Sequence, residues 1–415
     1  MKKLHSLQVI RKFAFDEWGG PETVVWNTSR NLVQNDHETE ILATNAFSKI
    51  PEETVDDVLI KRFPYFYPYL NLSDKNSKLL DRKGGDPYSK KLYRYLMSDM
   101  DVDLIHCHGM QRIANTVRLA ARKKNIPFIV SSYDECFQIP EFEKREMMKL
   151  LKGTINYGKM VDGFLKNKDL MDDADGIICA GHNEFISTRK KYPGKLVEFI
   201  PNGVDIDKFK IAGKSRFRTK YKIPKEADLI LCVSNIDYQK NQIKLIELVH
   251  LLNKKQEKTH VLLIGSITSN IYYQMIQKRI KELNVENCVT IIPGLNATDP
   301  ELVQAYNTAD FFILPSTHEP FSIVVLEAWA SRLPVIANNA SGLQNLINHK
   351  HTGLFYQNDS LEDLAAQYHL LKNHPGLLIK LIHNAYDEIC EKYTWQIITE
   401  KLMVFYRKVR NSFNN

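Results

Sequence analysis

Phe311-Phe312-Ile313-Leu314-Pro315-Ser316-Thr317-His318-Glu319-Pro320-Phe321-Ser322-Ile323-Val324-Val325-Leu326-Glu327-Ala328 decides how the chain is read. Four apolar residues stopped by a proline read as a buried strand. A polar loop follows, and the apolar run from about Phe321 reads as a helix. A strand feeding a helix through a short loop is half of a parallel β-α-β unit. Glu319 then stands in the loop at the carboxyl end of the strand. Glu327 falls about two turns into the helix, among Val324, Val325, Leu326, Ala328 and Trp329, an unusual setting for a solvated carboxylate. Backbone N–H groups at Phe321, Ser322 and Ile323 are expected to be free at the helix start. An acid favoured by the helix dipole is the plainer account of Glu319.

The same alternation extends in both directions. Short apolar runs at 104–106, 128–131, 176–180, 197–200, 229–234, 260–265, 289–292 and 334–338 read as strands. Segments 112–124, 243–254, 269–283 and 361–372 have helical spacing. This predicts doubly wound α/β domains, parallel sheets covered by helices on both faces. The pattern starts twice. Pro201-Asn202-Gly203-Val204-Asp205 carries an Asn-Gly turn signal, and a polar, basic stretch follows it. Two domains are therefore expected, 1–205 and 206–394. The tail has Trp395, Ile398, Leu402, Phe405 and Tyr406 at helical spacing, so residues 395–415 are expected to form a helix that packs back on the first domain. Ligands of open α/β sheets bind at the carboxyl ends of strands, and with two such domains the cleft between them is the expected site.

The chain has 415 residues, 44% hydrophobic and 25% charged, with a net charge of +7. At roughly 100–200 residues per domain, that suits two large domains. The charge is mild and argues against nucleic acid as a partner, while permitting anionic ligands or an anionic membrane surface. None of the six cysteines forms a CxxC pair, and most sit beside strand-like runs as small hydrophobes. No run reaches the ~18–20 apolar residues of a membrane helix. Arg11 and Lys12 interrupt any signal-peptide core. A cytoplasmic location is expected, with attachment at most to the membrane surface. His106-Cys107-His108 lacks neighbouring acids or thiols to complete a ligand set, and Asp101-Val102-Asp103 precedes a strand at its amino end, so no metal is expected.

The two glutamates, eight apart inside Pro-Ser-x-x-Glu-Pro-Phe…Leu-Glu-Ala, resemble the retaining glycosyltransferases of family 4, which have the GT-B fold. The likeness runs along nearly the whole chain. It includes Gly19-Gly20-Pro21-Glu22, Asp103-Leu104-Ile105-His106, Ile200-Pro201-Asn202-Gly203-Val204-Asp205, Asp237-Tyr238-Gln239-Lys240-Asn241 and Thr352-Gly353-Leu354. The resemblance implies transfer of a sugar from a nucleoside-diphosphate sugar, with UDP-sugars favoured, to an unspecified acceptor, and no cofactor or metal. It implies that Lys240 meets the departing diphosphate, where a fixed cation stabilises the transition state more than the ground state. Glu327 would hold ribose hydroxyls, and Glu319 with the N–H groups of Phe321, Ser322 and Ile323 the sugar. The Gly19-Gly20 loop would lie over diphosphate and acceptor, with Gly20 and Gly265 on the donor side. Gly19, His108, Tyr133 and Asp134 would face the acceptor.

Some positions depart from the family pattern. Asn235 stands where an arginine is usual, Tyr133 where a histidine is common, Ser322 where a glycine is usual, and Asn345 closes a loop that normally ends in glutamate. Loss of one preorganised charge can cost about 2.7–4 kcal/mol of barrier. The alternative to a divergent enzyme is therefore a degenerate GT-B protein that binds a partner or a glycan. Acceptor determinants are expected in the first domain. The aromatic run 63–69 reads as core packing or a sugar platform. The basic stretch 76–96 reads as a solvated face, or as a site for an anionic acceptor or membrane surface. A helical insertion is expected at 141–168.

Overall fold

β1 (His5–Lys12) buries its five middle residues on both faces, as a central parallel strand must. The structure, a computed structural model, describes residues 3–110, 112–132, 145, 148–164, 170–210, 216–295, 299–319, 321–340, 342–357 and 359–414. Two units make up the chain: Met1–Pro201 with Trp395–Asn415, and Asn202–Thr394.

In the first unit, β1 pairs in parallel with β2 (Glu38–Thr44) on one side and β6 (Leu104–His108) on the other. Beyond β2 lie β4 (Val58–Phe63) and the edge strand β3 (Glu52–Val55). Beyond β6 lie β7 (Phe128–Ser132), β9 (Gly176–Cys179) and β10 (Leu196–Phe199). The sheet is not parallel throughout, because β3 runs antiparallel to β4. Asp56 and Asp57, both at positive φ, make a two-residue turn between them, too short for a crossover. A separate two-stranded ribbon pairs β5 (Tyr69–Leu70) with β8 (Ile155–Asn156). It breaks the helix expected at 141–168. Gly153, at φ 79°, ends the turn before β8, a conformation that costs glycine little.

The helix Trp395–Asn414 belongs to this unit. Its stripe of Trp395, Ile398, Leu402, Phe405, Tyr406 and Val409 packs on Leu104, Ile129 and Ile178 of the sheet. Gly176 lets it come close: a Cβ there would lie 2.6 Å from Val409 Cγ2.

The second unit holds one six-stranded parallel sheet. In chain order its strands are β11 (Asp228–Val233), β12 (Thr259–Ile264), β13 (Val289–Ile292), β14 (Phe311–Leu314), β15 (Val335–Asn338) and β16 (Leu354–Tyr356). In space the order is β13-β12-β11-β14-β15-β16. Strand order therefore reverses between β11 and β14, which creates a crevice at their carboxyl ends. The unit begins at Asn202 rather than 206. Val204 N–H donates to Tyr393 O at 2.8 Å, and Asp205 caps the turn Ile206–Phe209, so the Asn-Gly segment is tied to the second unit.

Candidate active site

The loops that leave β11 and β14 flank the crevice, and they are fastened to each other. Thr317 N–H donates to Gln239 O at 2.9 Å, and Gln239 Nε2 donates to His318 O at 2.9 Å. Next to this clamp, Lys240 Nζ lies 2.8 Å from Glu319 Oε2. Asp237 fixes the lysine's backbone: it caps the short turn Tyr238–Lys240 and accepts from Lys240 N–H. Asn241 closes the turn at φ 52°, with its amide on Asp359. Burial disfavours the Lys240 ammonium, but the Glu319 carboxylate and, behind it, Asp237 together outweigh that, and the pKa is raised. The structure thus brings together two residues that lie 79 apart in sequence.

The helix after the loop is Ile323–Ala330, with Ser322 as its cap. It starts two residues later than the sequence reading. Ser322 is extended, at φ −112° and ψ 102°, and the Phe321 ring packs toward Tyr393 with centroids 6.1 Å apart. Phe321 is therefore outside the helix, and the free first-turn N–H groups begin at Ser322 and Ile323. Ser322 makes no side-chain cap bond. Its Oγ and that of Ser316 are buried without a hydrogen-bond partner among the described residues. Such orphans are costly unless something fills the site.

Glu327 is buried, and its Oε2 accepts from the Tyr306 hydroxyl at 2.7 Å. Burial pushes its carboxyl upward, with Lys208 and the Tyr306 bond acting in the opposite sense. Tyr306 escaped the sequence reading. It lies on the helix Pro300–Thr308 with the spacing of a core residue, and no local signal separates it from one. Gln239 could have been suspected from its place beside Lys240. Asn235 is exposed, and its carbonyl accepts from Gln242 Nε2 at 2.7 Å. Gly265 is required by packing: a Cβ would fall 1.8 Å from Ser234 O. It lets the loop after β12 touch the loop after β11.

In the first unit, Gly19 caps the helix Gly20–Gln34. A Cβ at Gly19 would come 2.9 Å from Glu22 Oε2, whereas one at Gly20 would meet nothing within 4 Å. Glu22 is buried. Burial raises its pKa, and Lys12 Nζ at 3.8 Å counteracts this in part.

His108 does not fit the acceptor role expected of it. It is buried with Nε2 on Gln8 Oε1 at 2.9 Å. Gln8 also meets Tyr406, whose hydroxyl shares a 2.7 Å bond with His106 Nδ1, while His106 Nε2 meets Ser131 Oγ. This network fastens the tail helix to the sheet. Burial drives both imidazoles toward the neutral form, His108 down to about 3. Tyr133 and Asp134 lie outside the described residues. No group of three His, Cys, Asp or Glu side chains among the described residues could hold a metal ion.

Two α/β units, the second with its strand order reversed at the crevice, match the GT-B fold seen in solved glycosyltransferases. Anabaena HepE, solved with UDP-glucose, superposes with a TM-score of 0.71 at 16% identity, covering 97% of this chain and 99% of that one. Residues 18–208 match the model for Glycosyltransferase Family 4, and residues 213–388 the model for Glycosyl transferases group 1. The chain belongs to glycosyltransferase family 4. An uncharacterized glycosyltransferase of Methanocaldococcus jannaschii is 23% identical over 95% of this chain and 98% of its own. The alpha-monoglucosyldiacylglycerol synthase of Streptococcus pneumoniae is 29% identical over 64% of this chain, and that match spans 57% of the synthase.

Proposed function

We propose that this glycosyltransferase moves a sugar from a UDP-sugar to an acceptor hydroxyl with retention at the anomeric carbon. The observation that carries the reading is the Lys240–Glu319 pair at the strand-order reversal, 2.8 Å apart and largely shielded from water. In this reading Glu327 holds the ribose hydroxyls and Lys240 the diphosphate. Glu319 and the Ser322 and Ile323 N–H groups hold the sugar. The bond from the anomeric carbon to the phosphate oxygen breaks, and the acceptor oxygen takes its place on the same face. The acceptor proton passes to the departing diphosphate, so no protein base is needed. Lys240 meets charge that grows as the diphosphate leaves, and this lowers the barrier rather than only tightening binding. The uridine base rests on its frequency among family-4 donors.

Thermal unfolding against UDP, GDP, dTDP and ADP tests the donor. A ligand at 100 times its Kd stabilises by about 2.7 kcal/mol, a rise of roughly 5–10 °C in Tm for units of this size. UDP is expected to give that rise, and Glu327→Ala to abolish it. A rise with another nucleotide alone would replace the base; no rise with any would overturn the donor site. Retention is read from the anomeric configuration of the product by NMR, and an inverted product would remove that part of the reading.

A further inference from the structure

The first unit carries a groove of about 700 Å³ that the chemistry above does not use. Phe66, Tyr93, Leu119 and Val161 supply its apolar lining. The Phe66 ring stacks on Tyr88, centroids 5.7 Å apart, while its neighbours Tyr65 and Tyr67 both donate to the Asp81 carboxylate. The aromatic run is thus divided, with the tyrosines fastened to an acid and Phe66 left to the groove. Lys90, Arg94 and Lys123 also line it, all three on exposed positions. None of the three has a carboxylate partner among the described residues. Lys90 sits over the Phe66 ring, and Lys123 donates to the Tyr93 hydroxyl.

Exposed apolar side chains stand in the segments that adjoin the groove lining. Val161 belongs to the helix Gly158–Phe164, which also carries Met160, 61% exposed. The ribbon just before that helix sets Leu70 and Ile155 opposite each other, 53% and 60% exposed. Cations around an aromatic-lined groove, next to exposed large aliphatic side chains, need an occupant that is anionic and oily at once.

We propose that this face docks on a membrane surface containing anionic phospholipid. The lipid phosphate meets Lys90, Arg94 and Lys123, and the apolar part below the headgroup enters the groove. Met160, Leu70 and Ile155 rest in the interfacial layer. A free phosphate would use neither the aromatic lining nor the aliphatic fringe. A second copy on a two-fold axis would bring the same cations against each other. No described helix is long and apolar enough to cross a bilayer, so the contact is with the surface. The proposal does not depend on the donor assignment.

The test is co-sedimentation of the full chain with vesicles of phosphatidylcholine alone and of phosphatidylcholine mixed with phosphatidylglycerol. Binding is expected to the mixed vesicles alone and to weaken as salt rises. Each cation near such a surface is worth about fivefold in partitioning, so Lys90→Gln/Arg94→Gln/Lys123→Gln is expected to lose roughly a hundredfold. Met160→Ser/Ile155→Ser is expected to weaken binding without changing its salt dependence. Both variants should keep the wild-type melting temperature and the wild-type response to UDP, which separates a failure here from a failure of the donor site. Absence of wild-type binding, equal binding by the triple variant, or displacement by inorganic phosphate at matched ionic strength would each overturn the proposal. So would a dimer, seen by sedimentation, that the triple variant dissolves.

Discussion

Lys240 and Glu319 neutralise each other at the site where a diphosphate is proposed to bind. A cation held by a carboxylate stays charged and aimed, and the net rise in its pKa keeps it protonated through the neutral range. Ser322 is the more distinctive residue. Where the family usually has glycine, this chain adds a hydroxyl that is 1% exposed and without a partner among the described residues. Ser322→Ala removes that unsatisfied group. Stability should hold or rise by up to about 1 kcal/mol, while the donor KM rises roughly 2–10-fold, the value of one hydrogen bond. Urea unfolding and initial-rate kinetics check the two halves. A less stable variant with unchanged KM would mean that the hydroxyl serves the fold instead.

At the scale of elements, one glycine sets the distance between the tail helix and its sheet. In Gly176→Ala the new methyl would meet Val409 Cγ2 at 2.6 Å and Phe405 Cζ at 2.9 Å. Overpacking of this kind costs about 1–3 kcal/mol, read as a lower urea midpoint; an unchanged midpoint would show that the helix sits loosely there. Much of this level is legible in sequence. The run that becomes β14 is an uninterrupted apolar stretch, and the helices Arg112–Lys124 and Ile243–Lys254 carry clear helical spacing. β3 and β4 are hidden by their charges. Arg62 is buried in β4 because Glu53 Oε1 lies 2.6 Å away and two backbone carbonyls accept from it, partners that a linear reading cannot see. The site was half legible for the same reason. Glu319, Glu327 and Lys240 stand in recognisable local patterns. The clamp through Gln239 and the bond from Tyr306 exist only once the strand order has brought distant segments together.

Over the whole molecule, buried histidines make the first unit sensitive to acid. His106 and His108 are held neutral in the folded chain, while the unfolded chain takes up protons below about pH 6.5. Their folded pKa values are depressed, so the unfolded state binds more protons as pH falls. Stability is then full above that value and declines toward the folded pKa, about 3 for His108. Between about pH 7 and 5 the loss from His108 should be about 2 kcal/mol, and His106 acts in the same sense. His108→Gln should remove its share of that slope in urea unfolding, and an unchanged slope would mean that the ring is already charged in the fold.

The tail helix also orders the chain's synthesis. Residues 395–414 leave the ribosome after all of Asn202–Thr394, yet they cover Leu104, Ile129 and Ile178 of a sheet translated long before. The second unit is continuous in sequence and can close while translation is still under way. The first must wait, with an oily face uncovered, until the ribosome has read through its neighbour. Nascent-chain chaperones that hold exposed apolar surface would therefore find their substrate in the first half of this protein, although it is made first.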